Sequence, residues 1–329
     1  MARTTHRYTA YGLDIASDLE LPELVSADER ADGQEADLRI RLGETPERIE
    51  DPAESRVVWS ARPGEWLQTI NNVARYYVHD GGRELVVERL GGTDADLRAF
   101  LFGTALGAVL HQRGQFVLHA SAVVLAGGHA VAVAGTAGAG KSTTLAALIG
   151  RGHRVLTDDK TAVRFGAGGP EVLPGYPTLR LWRDAVQRIG ADPGDLPALR
   201  EGMEKYLYRA EAFRHEPAPM RALVVLGARA GRGGPEEVES PAEPPEIVST
   251  RVHGHQAVRT VLRQTYRRRI VSGSGLQAEH FQWAARLANA VSVVSIVRPR
   301  HGETVDAVAD AVEAAVEAAA ETAAEAPTV

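Results

Sequence analysis

The sequence predicts an α/β fold in which a β-rich N-terminal region precedes a core of alternating strands and helices. Three observations support this prediction. Residues 1 to about 95 contain short runs of alternating and β-branched residues, such as "DLRIRL" and "ARYYVHD". A segment with helical spacing of apolar residues starts near residue 96. Beyond it, apolar strand-like runs alternate with helical ones around the stretch "GTAGAGKSTT" at 135–144.

The 329 residues divide by this pattern into three parts. The β-rich region, 1–95, is expected to help bind a substrate. The α/β core covers 96–300, and an Ala/Glu-rich helix and tail cover 301–329. In that helix the valines at 305, 308, 312 and 316 fall on one face, which predicts that it packs against the core.

Composition excludes several classes of site and partner. The absence of cysteine rules out disulfides and thiolate metal sites. A formal net charge of −6 gives no general attraction to nucleic acid or to an anionic membrane, and neither is expected as a partner. The N-terminus lacks the apolar stretch of a signal peptide, so we expect a soluble cytoplasmic protein. A homo-oligomer remains possible on this basis.

The core elements follow in order. "DLRAFLFGTALGAVLHQRG" predicts a helix that stops at Gly114, and strands are expected over about 116–125 and 130–133. After the glycine-rich stretch, the pattern predicts a helix over about 141–151 and a strand, "HRVLT". "TAVRFG" and "EVLPG" suggest a hairpin, "PTLRLWRDAVQRIG" a strand entering a helix, and "MRALVVLG" a buried strand.

The stretch 135–142 matches the phosphate-binding pattern GxxxxGK[ST]. Its glycines let successive backbone N–H groups point at an anion, and the following helix adds its positive end. Lys141 can reach the β- and γ-phosphates, and the Ser142 hydroxyl can bind Mg²⁺. A glycine-rich turn that binds nothing is the plain alternative. The predicted nucleotide-binding residues are Gly135, Thr136, Ala137, Gly138, Ala139, Gly140, Lys141, Ser142 and Thr143.

Lysine is scarce in this chain, which makes its three positions informative. Lys and Arg together number 37, and lysine occurs only at 141, 160 and 205. A compact ammonium suits a loop sized for phosphate, which explains Lys141. Lys160 could neutralise phosphate charge or only balance the neighbouring aspartates. Lys205 could reach the phosphates or lie on the surface of a polar helix.

Two adjacent aspartates, Asp158 and Asp159, end the strand that follows the glycine-loop helix. A right-handed strand–helix–strand crossover would return them to the sheet edge beside the loop. One carboxylate, assigned to Asp158, could hold Mg²⁺, and the other could accept a proton from an attacking hydroxyl. Because two like charges lie side by side, the pKa of one of the two carboxyl groups is expected to be raised, which suits a general base. The alternative is an exposed polar turn.

A stripe of arginines at 259, 263 and 267 has i, i+4, i+8 spacing within "HQAVRTVLRQTYRRRIV". This spacing predicts one helix face, extended by Arg268 and Arg269. The face is either simply solvated or a docking surface for an acidic or phosphorylated peptide.

His119 lies on the strand predicted over about 116–125, just upstream of the strand that leads into the glycine loop. Around His119 the sequence is similar to a known family. The segment "LHASAVVL…AVAVAGTAGAGKSTTLAALIGRGHRVLTDDKTAV" resembles the catalytic core of HPr kinase/phosphorylase and its relatives. The resemblance implies a P-loop core of that type, distantly related to phosphoenolpyruvate carboxykinase. It also implies ATP-dependent phosphorylation of a hydroxyl, with Asp159 or Asp158 as base and His119 close to the reacting phosphate.

Outside about 116–165 the sequence departs from that family. The downstream Glu-Ile-Arg-Gly-x-Gly segment is absent, and Lys205 or Arg180 stands as a candidate for its arginine. The segments "YGLDIASDLELPEL", "PGYPTLRLWRDAVQRIG" and "GMEKYLYRAEAF" are instead similar to HPr-kinase-like proteins associated with lasso peptide gene clusters. That resemblance implies phosphorylation of a serine at the C-terminus of a precursor peptide.

The sequence therefore predicts a serine kinase that uses ATP and Mg²⁺ and acts on a peptide or protein. Its expected catalytic residues are His119, Lys141, Asp158, Asp159 and Lys205. Two alternatives remain open at this point: a kinase or phosphorylase acting on an HPr-type protein or a small molecule, and a nucleotide-gated regulatory module without phosphate transfer.

Overall fold

The computed structural model describes residues 5–27, 35–199, 203–227, 246–299 and 304–324. It has a mixed α/β architecture built on two large sheets and a small two-stranded one. Among the described residues, no helix has the length and apolar character needed to cross a lipid bilayer.

The N-terminal region forms one nine-stranded sheet in the order β3-β1-β2-β4-β9-β8-β7-β6-β5. Within it β2–β4 and β4–β9 pair in parallel and the other neighbours are antiparallel. The strands are β1 (His6–Ala10), β2 (Leu13–Ser17), β3 (Val25–Ser26), β4 (Leu38–Leu42), β5 (Glu54–Ser55), β6 (Trp59–Arg62), β7 (Glu65–Ile70), β8 (Ala74–His79) and β9 (Glu84–Arg89).

The alternating pattern of this region places one face of the sheet in a core. In β8 the residues Ala74, Tyr76 and Val78 are buried, and those between them are more exposed. This is the period of two that a half-buried strand requires. A short 3₁₀ turn, Asp80–Gly82, joins β8 to β9. The predicted β-rich character of residues 1–95 is therefore observed.

A broken helix covers the buried face of the N-terminal sheet. It consists of α1 (Asp94–Phe100), a π-helical stretch (Leu101–Ala105) and α2 (Leu106–Gln112). Thr93 and Asp96 form a reciprocal cap at its start. The Tyr76 hydroxyl donates to the Leu97 carbonyl (2.9 Å), which ties the helix to β8. The apolar spacing predicted this helix correctly, although it begins two residues before Asp96.

The second sheet forms the centre of the α/β core, in the order β10-β14-β15-β18-β12-β11-β13, with β20 paired to β18 and β19. Its strands are β10 (Phe116–Leu118), β11 (Ala120–Val124), β12 (Ala130–Gly135), β13 (Arg154–Thr157), β14 (Thr161–Gly166), β15 (Gly169–Val172), β18 (Ala218–Leu226), β19 (Val248–Val252) and β20 (Ser292–Val297). The hairpin β16 (Thr178–Trp182) and β17 (Lys205–Arg209) stands apart from it.

Two details of this sheet differ from the sequence prediction. The strand expected over 116–125 is split at His119 into β10 and β11. β11 then lies between β12 and β13, so β13 does not pair with the glycine-loop strand. Because β11 is antiparallel to both neighbours, β12 and β13 still run in the same direction. Their carboxyl ends meet at one edge of the sheet, as expected.

The remaining helices pack around this sheet. They are α3 (Lys141–Gly150), α4 (Arg183–Arg188), α5 (Gly254–Arg263), α6 (Arg268–Gly273), α7 (Gln277–Ala290) and α8 (Val305–Ala324). On α3, Leu145 and Leu148 are buried in the same apolar cluster as Val308 and Val312 of α8. The valine face of the C-terminal helix therefore does pack against the core.

One of the two alternatives for Lys205, a place on a polar helix, is wrong, because Lys205 begins strand β17. The prediction of one continuous helix face of arginines is also wrong. The arginine stripe is broken, because α5 ends at Arg263 and Arg267 adopts a left-handed backbone with φ of 41°. Between α5 and α6 the chain pairs with β10: the Tyr266 N–H donates to Val117 O (2.9 Å). These long-range backbone bonds outweigh the local helical preference of the segment.

A buried histidine pair lies where α2 meets the 264–266 segment. His111 donates from Nε2 to the Tyr266 carbonyl (2.7 Å), and His280 donates to the Thr265 hydroxyl oxygen (2.8 Å). Burial lowers the pKa of both imidazoles to about 4. Both rings therefore stay neutral in the folded protein well below the pH at which they would be protonated in the unfolded chain.

We expect the free energy of unfolding to fall as the pH is lowered from about 6.5 to about 4. In that window the two histidines bind protons in the unfolded chain but not in the folded protein. This difference lowers the free energy of unfolding by up to about 3 kcal/mol per histidine. His280→Gln should give a shallower pH dependence, measured by urea denaturation across the window. The exposed His255→Gln is the control. An unchanged slope in His280→Gln would contradict the role of the pair.

Candidate active site

The glycine-rich loop links the carboxyl end of β12 to the first residue of α3. Thr136, Ala137 and Gly138 are exposed, Ala139 is buried, and the Ala139 N–H donates to Thr136 O (3.1 Å) to close a turn. Ser142 and Thr143 lie half-buried in the first helical turn, whereas Thr144 is buried. The helix N-terminus thus opens onto a compact loop, which is the geometry that favours an anion.

Lys141 folds back over this loop. Its ammonium donates to Gly135 O (2.7 Å) and more weakly to Thr136 O (3.4 Å). Burial lowers the pKa of Lys141, opposed by the charges of Asp159 and Asp158 and reinforced by that of Lys205. These couplings place both aspartates and Lys205 in the same electrostatic site as the loop lysine.

Arg298 supports the loop from behind, a role that the sequence did not suggest. It directly follows β20, whose carboxyl end lies at the same sheet edge as that of β12, and it is buried. Its guanidinium donates to the carbonyl of Ala139. Gly140 adopts a left-handed φ of 95°, and a Cβ there would lie 2.5 Å from the guanidinium. The glycine is therefore required both by its backbone and by the arginine packed on it.

Asp158 is held rigidly at the end of β13. It is only 7% exposed. The Ser121 hydroxyl donates to its Oδ1 (2.7 Å), and the Arg180 main-chain N–H donates to its Oδ2 (3.0 Å). Both oxygens thus have a fixed donor, one from the neighbouring strand β11 and one from β16.

Asp159 points the other way, because its backbone is left-handed with φ of 66°. Aspartate is among the few non-glycine residues that adopt this conformation readily. Its Oδ2 accepts from Lys160 (2.9 Å), and its Oδ1 lies 3.3 Å from Nδ1 of His119. The side chain remains 28% exposed, so it can meet a second molecule.

Lys160 is completely buried and is the partner that controls Asp159. Besides the carboxylate, its ammonium faces the ring of Tyr266, 5.0 Å from the centroid. Burial, the largest single effect, acts to lower the pKa of Lys160, but Asp159 together with the surrounding tyrosine hydroxyls raises the pKa above its usual value. The structure therefore supports the reading in which Lys160 balances an aspartate.

The expectation that the adjacent aspartates raise a pKa is wrong for Asp159. Burial is the largest single effect and acts to raise the pKa of this carboxyl, but the charges of Lys160, His119 and Arg180 and the hydrogen bond from Lys160 together outweigh it. The net result is a pKa well below the usual range. Asp159 is therefore ionised at neutral pH.

His119 sits at the break between β10 and β11 and joins this cluster. Its Nδ1 lies 3.1 Å from the carbonyl oxygen of Asp159 and 3.3 Å from Oδ1. Both neighbours are acceptors, so Nδ1 must carry the proton, and the neutral ring keeps its lone pair on Nε2. Burial lowers the pKa of His119, opposed by Asp159 and reinforced by Lys141. The imidazole is therefore a neutral base at pH 7.

The N-terminal sheet reaches beneath the aspartate turn. Tyr11, fully buried between β1 and β2, donates its main-chain N–H to Pro174 O (2.7 Å), and its hydroxyl lies 3.4 Å from the Thr157 hydroxyl. Thr157 in turn donates to Lys160 O (2.6 Å). Gly175 allows this close packing, because a Cβ there would lie 2.4 Å from the Thr157 hydroxyl oxygen.

The β16–β17 hairpin carries two further cations, of which Arg180 lies beside the aspartates and Lys205 acts on Lys141. Lys205 lies over the half-exposed ring of Trp182, 5.7 Å from its centroid. Arg180 contributes its main-chain N–H to Asp158, and its guanidinium interacts electrostatically with Asp158 and Asp159. The hairpin therefore brings both predicted candidates for a phosphate-facing cation to the site.

The structure thus gathers all five predicted catalytic residues around one sheet edge. It also adds Ser121, Tyr266 and Arg298, which the sequence did not single out. Arg298 had a usable signal, since it follows a buried strand, "SVVSIV", whose end lies at the predicted ligand edge. The roles of Ser121 and Tyr266 depend on pairing between distant segments, so no local pattern could have revealed them.

Comparisons with known proteins give little further help. No protein-family model matches the sequence, and no curated protein matches it. Among solved structures, the chain is similar to the Hpr(Ser) kinase/phosphatase from Coxiella burnetii, with 13% sequence identity and a TM-score of 0.33. The likeness covers 63% of this chain and 94% of that chain. The function proposed below is inferred from the geometry of the site itself.

We expect Asp159→Asn to lower the free energy of unfolding by about 3 kcal/mol, because it leaves the fully buried charge of Lys160 without its partner. Lys160→Met should cost less, because Asp159 is 28% exposed and keeps His119 beside it. The double variant should lose clearly less than the two single losses together, because it leaves neither charge unpaired. Urea denaturation of all four proteins measures this coupling.

A matched cycle on an exposed ion pair gives the control. Arg164 and Glu171 lie 2.7 Å apart with side chains 55% and 32% exposed, and we expect their coupling to stay below about 1 kcal/mol. Additive losses at Asp159 and Lys160 would show that the buried pair is not the coupled unit described above.

Proposed function

We propose that the protein is an ATP-dependent kinase that phosphorylates a serine hydroxyl on a peptide or protein. One observation carries the proposal: the lysine of the glycine loop and a partly exposed aspartate, ionised at neutral pH and paired with His119, meet at one sheet edge. A loop of this kind binds the phosphates of a nucleotide, and an aspartate beside it can receive the proton of an attacking hydroxyl.

The loop and helix α3 would hold the β- and γ-phosphates. Backbone N–H groups of residues 135–142 and the helix N-terminus favour the anion, and Lys141 would exchange its contacts with Gly135 O and Thr136 O for phosphate oxygens. Arg298 keeps the loop in shape through Ala139 and does not itself need to touch the nucleotide. Lys205 is positioned to add a second positive charge near Lys141.

The residues present also fit a magnesium ion. Ser142 and Asp158 provide the hard oxygen ligands that Mg²⁺ prefers, and one or two protein oxygens beside nucleotide phosphates are its common requirement. In the described part of the chain no cluster of three or more metal-ligating side chains occurs, so the ion would need oxygens of the nucleotide to complete its ligands. When bound, Mg²⁺ would neutralise charge on the transferred phosphate.

Asp159, and not Asp158, is the residue that we assign to the acceptor. Asp158 is buried, with each oxygen accepting one hydrogen bond and one lone pair left for the metal, whereas Asp159 is partly exposed beside His119 and can meet the acceptor. The acceptor oxygen would form a bond to the γ-phosphorus as the bond from phosphorus to the β–γ bridging oxygen breaks, and ADP leaves. The hydroxyl proton would pass to the Asp159–His119 pair.

Within that pair His119 is the stronger base. The pKa of Asp159 is far below its usual range, whereas His119 is neutral with its Nε2 lone pair available. Asp159 would orient the imidazole and stabilise it once protonated, as a carboxylate does in other acid–base pairs. His119 therefore has a direct chemical role in this proposal, beyond lying close to the phosphate.

The acceptor is proposed from sequence resemblance. The segments that form β16, α4 and β17 are those similar to the lasso-associated proteins, and they line the site through Arg180 and Lys205. We therefore propose the C-terminal serine of a precursor peptide as the first acceptor to test.

Incubation of such a peptide with Mg-ATP should add one phosphate to its serine, detected by mass spectrometry. Asp159→Asn should abolish transfer and retain nucleotide binding, because the asparagine side chain tolerates the left-handed backbone but cannot orient a base. Lys141→Ala should lose nucleotide binding itself. Asp310→Asn, at an exposed ion pair with Arg151, is the control that should stay active.

Other outcomes separate the alternatives. Transfer to HPr-type proteins or small alcohols, with none to peptides, would support the same chemistry on another acceptor. Nucleotide binding with no transfer to any hydroxyl would reject the kinase and favour a nucleotide-gated module. Full transfer by Asp159→Asn would reject the role of Asp159 in orienting the base.

The pH profile should report His119. Its folded pKa lies below the usual value of 6.5, so the active neutral form persists above that pH and is lost only under more acidic conditions. Activity of the wild type should therefore show an acid limb below pH 6.5. His119→Gln should have lower activity and lack that limb, and titration of ATP itself is common to both enzymes. An identical limb in the variant would exclude His119 as the base.

A further inference from the structure

A cleft of about 380 Å³ lies beside the aspartates, between the N-terminal region, helix α1 and the β16–β17 hairpin. Its walls are largely apolar, with Phe102, Leu199 and Leu207 among them. The volume is that of a small binding site. None of the glycine-loop residues lines it, so it is separate from the place where the phosphates would bind.

Arg180 and Tyr176 join the cleft to the catalytic cluster. Arg180 lines the cleft, and its main-chain N–H donates to Asp158 (3.0 Å). Tyr176 also lines it and packs against Tyr11, with ring centroids 6.2 Å apart, beneath the aspartate turn. A group bound in the cleft would therefore be separated from Asp158 only by Arg180.

The charge on the cleft walls is positive. Arg98 is neutralised by Glu23 (2.9 Å). Arg209 donates to the main-chain oxygen of Pro22 (2.9 Å). Among the residues that the structure describes, neither Arg209 nor Arg180 has a carboxylate within ion-pair distance. Two guanidinium groups on an apolar wall are complementary to a ligand with an apolar body and a carboxylate.

We propose that this cleft binds the part of the acceptor next to the reacting hydroxyl, and that it selects a peptide with an apolar side chain and a carboxylate beside its serine. The inference rests on the proposed kinase function. The apolar side chain would fill the space between Phe102 and Leu207, and the carboxylate would meet Arg209 or Arg180. The serine would then be placed at Asp159.

The cleft also explains a structural role for the N-terminal region. Pro22 and Glu23 form one wall, and α1, which caps the N-terminal sheet, forms another. Without Pro22 and Glu23, the core would leave the cleft open on that side. The acceptor site is therefore complete only when both parts of the chain are folded together.

The test uses a library of serine peptides in which each flanking position is varied, with labelled Mg-ATP. The wild type should favour peptides with an apolar and an acidic neighbour to serine. Arg209→Gln should reduce the preference for the acidic neighbour about tenfold, the typical loss of one charge-assisted hydrogen bond. Ala99→Trp, which fills the cleft from α1, should remove the apolar preference.

Two matched variants are the controls. Arg113→Gln removes an arginine that likewise donates to a main-chain oxygen (Asp37 O, 2.7 Å) but lies away from the cleft. Ala307→Trp places the same bulk on an exposed position of α8. Both should keep the wild-type preference. Binding of the same peptides, followed by fluorescence polarisation with a non-hydrolysable ATP analogue, is measured in parallel.

The two readouts separate failure of the cleft from failure of the kinase. Transfer without any flanking preference, or an equal change in Arg113→Gln, would overturn the cleft and leave the kinase standing. Selective binding that Arg209→Gln weakens, without transfer, would keep the cleft and reject the kinase. Neither binding nor transfer with any peptide would overturn both for this class of acceptor.

Discussion

The buried ion pair between Asp159 and Lys160 is the interaction on which the rest of the site depends. A lysine with no solvent exposure is stable only if its charge is matched, and Asp159 matches it at 2.9 Å. The pair keeps the aspartate ionised and holds its backbone in the left-handed conformation that separates it from Asp158. The two adjacent aspartates therefore have different environments. Asp158 is hydrogen-bonded by Ser121 and Arg180, whereas Asp159 is partly exposed beside His119.

The fold places this pair where two sheets meet. The hydroxyl of Tyr11, from the N-terminal sheet, lies beside that of Thr157. Tyr266 follows the end of α5, pairs with β10 and packs its ring against Lys160. The strand–helix–strand unit of the core brings the glycine loop and the aspartates to one edge. Distant segments supply the apolar surroundings that give the buried charges their effect, because electrostatic interactions strengthen as water is excluded.

Much of this arrangement could be predicted. The glycine pattern, the helix after it and the aspartates one strand later follow local rules of spacing and periodicity, so their positions at one edge were inferred correctly. The lysine census drew attention to 141, 160 and 205, all of which interact at the site. The predictions that failed concern non-local pairing. β11 inserts between β12 and β13, and the arginine stripe breaks at Arg267 because its neighbours bond to another strand.

The sequence by itself determined the chemical groups available: a glycine-rich loop, two carboxylates, a histidine and three lysines among many arginines. Only the tertiary structure decided how they differ. It buried Asp158, left Asp159 partly exposed, and lowered the pKa of Asp159 where a raised pKa was expected for one of the two carboxyls. It also packed Arg298 against the glycine loop and formed a cleft at Arg180. The reason is physical, since burial and charge pairing depend on contacts between residues far apart in the chain, which spacing along the sequence does not encode.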